Sequence, residues 1–148
     1  MSMKEIEDLA KMWKEDSAIN ETALTYEAGR IPVLHHKYYN LYVIETLKLK
    51  KLKSDMIMLQ KEKSEYYGGI MTPERMKELG WKPYQLKVLK SDVPKIVDQD
   101  KDIIDFNLQI GYFETLVKFL EDIIKQINNR NFILKTMLDW ERFTSGSA

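Results

Sequence analysis

Residues 101–127 read KDIIDFNLQIGYFETLVKFLEDIIKQI, and this stretch decides the fold class. Its apolar residues recur in alternating steps of three and four, which is the heptad spacing of a helical seam. Leu116 and Ile123 widen the apolar face, so more than one neighbouring helix must cover it. The pattern predicts an all-α protein and leaves intramolecular packing and self-association equally open. The seam residues are Ile103, Phe106, Ile110, Phe113, Val117, Leu120, Ile124 and Ile127.

Upstream of this seam, residues 32–67 are predicted to form one long central helix. Its apolar residues fall on one stripe when successive residues are placed 100° apart. Pro32 either begins this helix or kinks a longer one, and Gly68 with Gly69 ends it. The stripe consists of Leu34, Tyr38, Leu41, Leu49, Leu52, Met56, Leu59 and Tyr67.

Shorter elements are expected on either side of the long helix. Ile6, Leu9 and Trp13 have the spacing of an amphipathic helix, and Asn20 is a candidate N-cap for a helix over 21–28. Thr72-Pro73-Glu74 predicts a helix that ends at Gly80. Residues 81–91 fit a helix or a short strand. After residue 127, the segment 128–131 is expected to interrupt the C-terminal helix and a last short helix to follow.

The composition is that of one globular domain of 148 residues. Within it we distinguish an N-terminal part over 1–90, which contains the long central helix, from C-terminal helices over 91–148, which contain the heptad seam. There is no cysteine, which excludes disulfides and thiolate chemistry. No run is long and apolar enough for a membrane span, so no membrane partner is expected.

The formal net charge of zero conceals an asymmetry along the chain. Residues 30–63 carry 8 basic and 3 acidic side chains, whereas residues 1–29 carry 3 and 7. A basic middle third indicates a polyanion as partner. The alternative is that segments of opposite charge attract each other within the fold or an oligomer.

Signals of an enzyme are weak, and we expect neither catalysis nor a cofactor. The acids Asp98, Asp100 and Asp102 begin like a calcium loop, but the glycine and glutamate that such a loop needs are missing. Adjacent His35 and His36 point about 100° apart on a helix and cannot share a metal as i, i+4 ligands do. No metal site is therefore predicted, and acids near a helix N-terminus explain the acidic run.

The basic segment contains the candidate residues for single-stranded nucleic acid. Lysines on one helix face can neutralise phosphates, and tyrosines at the helix end can stack on unpaired bases. Solvated lysines and tyrosines packed in the core are the alternatives. The candidates are Lys50, Lys51, Lys53, Lys61, Lys63, Tyr66 and Tyr67.

Several short motifs, in their order and spacing, resemble the UvsY-type recombination mediators of large tailed phages. One is the basic pair Lys61-x-Lys63 with Tyr66-Tyr67-x-Gly69 at the end of the long helix. Lys63 stands where that family can have arginine, and extra residues lie before Ile103. The others are Leu24-Thr25-Tyr26-Glu27-Ala28, Leu108-Gln109, and Phe132-x-x-Lys135 with Asp139, Phe143 and Gly146.

This resemblance implies a ring-like homo-oligomer, a hexamer or heptamer, formed through the C-terminal oligomerisation helices over 91–148. The part over 1–90 is then the DNA-binding part. It implies single-stranded DNA binding without ATP, with Lys61 and Lys63 implicated. It implies as partners the phage recombinase and the phage single-strand-binding protein, in the cytoplasm of the infected bacterial host. The function expected is a non-enzymatic mediator that helps load recombinase onto strands covered by the single-strand-binding protein.

Two other functions compete with this reading. A helical adaptor that binds only protein is suggested by the zero net charge and by Leu47, Ile57 and Met58 on the lysine side of the long helix. A metal-dependent nuclease using the acids of residues 98–105 is the third and weakest hypothesis.

Overall fold

The computed structural model describes residues 3–146, and within that range it contains helices and no strand. This confirms the all-α prediction. A 3₁₀ turn over Lys90–Asp92 precedes the fourth helix. The α-helices are α1 (Met3–Ser17), α2 (Leu24–Tyr67), α3 (Pro73–Leu79), α4 (Val93–Asp98) and α5 (Lys101–Thr144).

The long helix α2 begins eight residues earlier than the sequence predicts, at Leu24, and it runs through Gly29 and Pro32. Of the two alternatives for Pro32, the start of the helix is wrong, and Pro32 lies inside a longer helix. Proline lacks an amide hydrogen, so the helix loses one hydrogen bond there. Because Pro32 is exposed, water can satisfy the carbonyl that is left without a partner.

The C-terminal helix α5 is also longer than predicted. It continues through Asn128 and Asn131 to Thr144, so the expected interruption and separate last helix are wrong. Each asparagine costs a helix interior less than about 0.7 kcal/mol relative to alanine. Arg130, between them, is buried and hydrogen-bonded to two other segments of the chain, the end of α1 and Glu27 of α2, which outweighs that cost.

The short helix α3 agrees with its sequence signals. The Thr72 side chain accepts a hydrogen bond from the Arg75 amide, Pro73 occupies the first turn, and Gly80 ends the helix in a left-handed conformation with φ of 71°. Residues 81–89 form neither of the predicted alternatives, helix or strand. They are an irregular segment that leads into the 3₁₀ turn.

The chain divides into two compact units, through both of which α2 and α5 run. Unit 1 comprises Met1–Leu47 with Glu114–Ala148. Trp13 of α1 packs edge-on against the fully buried Tyr38, with ring centroids 5.3 Å apart. The other buried apolar residues of unit 1 are Leu9, Leu34, Leu116, Val117, Leu120, Ile123, Ile127 and Leu134.

An ion-pair cluster is buried in unit 1. Arg130 Nη2 lies 2.7 Å from Glu27 Oε2, and both residues are almost completely buried. The same guanidinium donates to the main-chain carbonyls of Ser17 and Ala18 at the end of α1. Arg30 also pairs with Glu27, at 3.1 Å. We call this group the Arg130 cluster; it joins α1, α2 and α5.

Unit 2 comprises Lys48–Phe113 and has its own core. Met56 of α2, Val93 and Val97 of α4, and Ile103 of α5 are the buried residues at its centre. Partly buried apolar residues pack around them, namely Leu59, Tyr67, Val88, Phe106 and Ile110. The apolar stripe predicted for the long helix is thus its packed side, and none of the eight stripe residues is exposed.

The heptad seam of α5 is largely covered within a single chain. Five of its eight residues are buried, and the remaining three, Phe106, Ile110 and Ile124, are half-buried. Intramolecular packing, one of the two alternatives left open by the pattern, accounts for this burial. Self-association through the seam stays a prediction.

Candidate nucleic-acid interface

All seven candidate DNA-binding residues belong to unit 2. Lys50, Lys53, Ile57 and Lys61 lie on one side of α2, because successive residues turn by about 100°. All four are exposed, on the side opposite Leu59, which packs against the core. We call them the lysine face. It extends for about 16 Å at 1.5 Å per residue.

The lysines of this surface differ in their partners. Within the described residues, Lys50 and Lys61 form no ion pair. Lys51 pairs with Asp55 at 3.1 Å, and both side chains are largely exposed. Exposed pairs of this kind contribute little and exchange readily with other anions. Lys50 and Lys61 are therefore the cations most accessible to a phosphate.

Lys63 has different surroundings, although it is only two residues from Lys61. It is 5% exposed, and its Nζ lies 2.8 Å from Asp102 Oδ2 and 3.1 Å from Asp100 Oδ2. The ammonium also lies 4.1 Å from the centroid of the Trp81 ring, a cation–π contact. Burial lowers the pKa of Lys63, but the hydrogen bonds with Asp102 and Asp100 outweigh it and raise the pKa overall.

The carboxylate of Asp100 is the centre of this group. Its Oδ1 accepts hydrogen bonds from the amides of Asp102 and Ile103, so it caps the N-terminus of α5. Its Oδ2 accepts from the Tyr67 hydroxyl at 2.5 Å and from Lys63. Burial raises the pKa of Asp100, but those two hydrogen bonds outweigh it and the net shift is downward. We call Lys63, Asp100, Asp102, Tyr67 and Trp81 the Lys63 cluster.

The two tyrosines at the end of α2 pack against other aromatic rings of unit 2. Tyr66 lies 5.2 Å from Trp81, and Tyr67 lies 4.8 Å from Tyr84, both edge-on. The Tyr66 hydroxyl donates to the main-chain carbonyl of Lys82. Both side chains are half-buried. Of the two roles open from the sequence, base stacking and packing, the structure shows packing.

Sequence reasoning did not identify Asp100 and Trp81 as partners of Lys63. One signal was available, because Lys63 falls on the apolar stripe of α2 and a lysine there needs a carboxylate. Nothing in the sequence indicates that the carboxylate comes from a residue 37 positions away.

An exposed lysine face on an all-helical fold invites comparison with known proteins. Residues 12–147 match the family described as recombination, repair and ssDNA binding protein UvsY. The chain belongs to the UvsY family. A curated member, the recombination protein uvsY of Enterobacteria phage T4, is 25% identical over 141 residues, which is 95% of this chain and 98% of the T4 protein.

Solved structures of a UvsY family member share the fold. One crystal form of the bacteriophage T4 recombination mediator protein UvsY matches with a TM-score of 0.82 at 22% identity, covering 97% of this chain and 99% of that one. A second crystal form matches with a TM-score of 0.81 at 23% identity, covering 94% and 96%. The all-helical arrangement is thus that of the UvsY fold.

Two further observations concern other kinds of site. Over residues 3–146, no helix has both the length and the apolar character that crossing a bilayer requires. In the same range, His, Asp and Glu side chains do not converge in groups of three or more that suit a metal ion.

Proposed function

We propose that this UvsY-family chain is a non-enzymatic recombination mediator that binds single-stranded DNA through the lysine face of α2. The observation that carries the proposal is the set of exposed lysines opposite the core of unit 2, on a chain whose family binds single-stranded DNA. Mobile ammonium groups suit the phosphate backbone and carry no sequence preference. Base-edge readout is not required for such a function.

The lysine face is tested by changing Lys50, Lys53 and Lys61 together to alanine. The affinity for a fluorescent single-stranded oligonucleotide, measured over a series of salt concentrations, should fall. The slope of log affinity against log salt should become shallower, because fewer counterions are released on binding. The matched control changes Lys4, Lys11 and Lys14, three exposed lysines of α1, to alanine. Equal losses in both variants would refute the lysine face as the site.

We propose that Lys63 and the two tyrosines act indirectly, by holding the end of α2 in the conformation that presents Lys61. The burial of Lys63 against Asp100 and Asp102 supports this role. A Lys63→Met variant that stays folded yet loses as much DNA affinity as Lys61→Met would show a direct contact instead.

The chain is further proposed to form a ring-like homo-oligomer, with 91–148 contributing the oligomerisation helices. The end of α5 offers an exposed apolar surface for this purpose, formed by Phe132, Trp140 and Phe143. Trp140 and Phe143 stack with centroids 5.8 Å apart. Several copies of the lysine face in one ring would multiply weak contacts through effective concentration.

Two variants separate this surface from the heptad seam. Trp140→Lys should lower the assembly mass measured by light scattering and leave the helical content unchanged, because Trp140 is exposed. Val117→Asp puts a charge into the core of the single chain and should lower the helical content as well. If Val117→Asp yields folded monomers, the seam is the interface between subunits.

The mediator role itself adds two partners, the phage recombinase and the phage single-strand-binding protein. A strand held by several lysine faces is constrained, which weakens the grip of a competing protein and favours recombinase loading. Recombinase assembly on a covered strand should therefore accelerate in the presence of this chain, and the three-alanine variant of the lysine face should lose that acceleration. The setting is the cytoplasm of the infected host.

A protein-only adaptor is the second candidate. Leu47, Ile57 and Met58 of α2 are all more than half exposed, which suits contact with a protein partner. The absence of any single-strand affinity at low salt, together with retention of a protein partner at high salt, would favour this function over the mediator.

A further inference from the structure

A groove opens in unit 2 beside the end of α2, and of the seven candidate DNA-binding residues only Lys61 lines it. It has a volume of about 550 Å³, within the range of small-molecule sites. The last turns of α2 form one wall, and the 3₁₀ turn with the start of α4 forms the other. We call it the Ile70 groove. Its lining residues are Lys61, Ser64, Glu65, Gly68, Ile70, Val88, Lys90, Val93 and Pro94.

The groove continues the lysine face along α2. Lys61, Ser64 and Gly68 are spaced by three and four residues, so they fall on the same side of the helix as Lys50. Gly68 has no side chain to close that wall. A strand whose phosphates follow the lysine face from Lys50 to Lys61 therefore arrives at the groove.

The charges on its walls suit a nucleotide. Lys61 and Lys90 are exposed, and neither forms an ion pair within the described residues. Between them the lining is mainly apolar, and Ile70 is 74% exposed although it is isoleucine. Cations on both walls of an apolar surface suit a ligand with two anionic groups and a flat apolar centre. Successive phosphates with the base between them have this arrangement.

We propose that the Ile70 groove binds one unstacked base of single-stranded DNA, with the flanking phosphates on Lys61 and Lys90. The inference rests on the proposed function and adds to it that one base, besides the phosphates, contacts the protein. The base face lies against Ile70 and Pro94. Glu65, the one carboxylate among the lining residues, accepts a hydrogen bond from an exocyclic amino group. Cytosine and adenine carry such a group on the pairing edge, and thymine does not.

The first experiment compares three oligonucleotides of equal length and charge: oligo-dC, oligo-dT and an abasic strand. Affinity should decrease in that order, with a loss of about fivefold or more from oligo-dC to the abasic strand, as expected for lost base contacts. The dependence of affinity on salt should be the same for all three, because their phosphates are the same.

Two variants assign this preference to the groove. Ile70→Ser should remove most of the difference between oligo-dC and the abasic strand without changing the salt dependence. Glu65→Gln should reduce the difference between oligo-dC and oligo-dT. The matched control is Leu86→Ser, a similarly exposed apolar residue outside the groove lining, which should leave all three affinities unchanged.

The outcomes separate this inference from the proposed function. Equal, salt-dependent affinity for all three strands would overturn the base site and leave the lysine face intact. A preference that survives in Ile70→Ser would overturn it as well, because the base would then bind elsewhere. An Ile70→Ser variant that binds all strands normally but loses a protein partner would show that the groove serves a peptide. No binding of any strand at low salt would refute the proposed function.

Discussion

Each unit of this chain buries one basic side chain against a carboxylate, and the two clusters differ in how completely they are enclosed. In the Arg130 cluster, Glu27 and two main-chain carbonyls accept from the two terminal nitrogens of Arg130, and Arg130 and Glu27 are at most 3% exposed. In the Lys63 cluster, Asp100 is buried, but the side chain of the second partner, Asp102, is 59% exposed. An aromatic ring, that of Trp81, covers another side of the ammonium.

The comparison shows that two buried ion pairs, both between α2 and α5, can have different roles in the same chain. The Arg130 cluster joins three helices of unit 1. Lys63 follows Lys61 by two residues, and its cluster fixes the end of α2 beside the Ile70 groove. We infer that the first cluster mainly stabilises the fold and that the second also positions the DNA surface.

The largest effect is expected when the Arg130 cluster loses its cation. Arg130→Met leaves Glu27 buried with Arg30 as its remaining cation, and breaking a buried pair in this way costs about 3–5 kcal/mol. The free energy of unfolding in urea should fall by about that amount at a fixed protomer concentration. Arg142→Met, at an exposed position near the end of α5, is the control and should change it by less than about 0.5 kcal/mol. A loss as small as that in Arg130→Met would contradict the structural role.

A smaller loss is expected from Lys63→Met. Asp102 can turn to water, and Asp100 keeps its bond from Tyr67 and its two backbone amides, so a cost of about 2 kcal/mol is expected. The affinity for single-stranded DNA, measured on the folded fraction, should fall less than it does in Lys61→Met. The reverse order of affinities would mean that Lys63 leaves its cluster to meet phosphate.

The stability of the fold should depend on pH through the buried carboxylate of each cluster, Glu27 and Asp100. Burial raises the pKa of Glu27, but the Arg130 hydrogen bond and the Arg30 charge outweigh it and lower the pKa below 4.5; that of Asp100 lies below 3.8. A carboxylate with a lowered pKa stabilises the fold above its unfolded pKa, and this contribution is lost as the pH falls through the folded value.

The urea midpoint should therefore decrease between about pH 5 and pH 2. Asp100→Asn and Glu27→Gln should each start from a lower midpoint and show a shallower decrease, since one of the titrating groups is gone. Unchanged steepness in either variant would show that its carboxylate does not contribute.

The smallest effect belongs to the exposed pair on the lysine side of α2. Lys51→Ala removes the contact with Asp55, and the free energy of unfolding should change by less than about 0.5 kcal/mol. A calorimetric melt at low salt can detect a larger change. Such a change would mean that Lys51 belongs to a wider network of charges than its single pair with Asp55.

Much of the fold was predictable from periodicity. The stripe of α2 and the seam of α5 are packed surfaces, because residues spaced by three and four positions lie on the same side of a helix. Helix ends were predicted less well. Pro32 and Asn128 are local signals of a break, and tertiary contacts such as those of Arg130 outweigh them.

The candidate site was predictable only in part, for the same reason. Lys50 and Lys61 are on the exposed side that the helical pattern predicts. The burial of Lys63 depends on Asp100, and the second wall of the Ile70 groove depends on Lys90 and Pro94. These residues follow an irregular segment whose path no periodicity indicates.

The three tryptophans of the chain lie in three separate environments, so the protein contains its own fluorescent reporters. Trp13 packs on Tyr38 in the core of unit 1, Trp81 lies over the Lys63 ammonium, and Trp140 is exposed at the end of α5. Variants that keep one tryptophan and replace the other two by phenylalanine would report one event each. Emission from Trp13 would follow folding of unit 1. Emission from Trp81 would test the proposed binding of DNA beside the Lys63 cluster, and that from Trp140 the proposed joining of subunits.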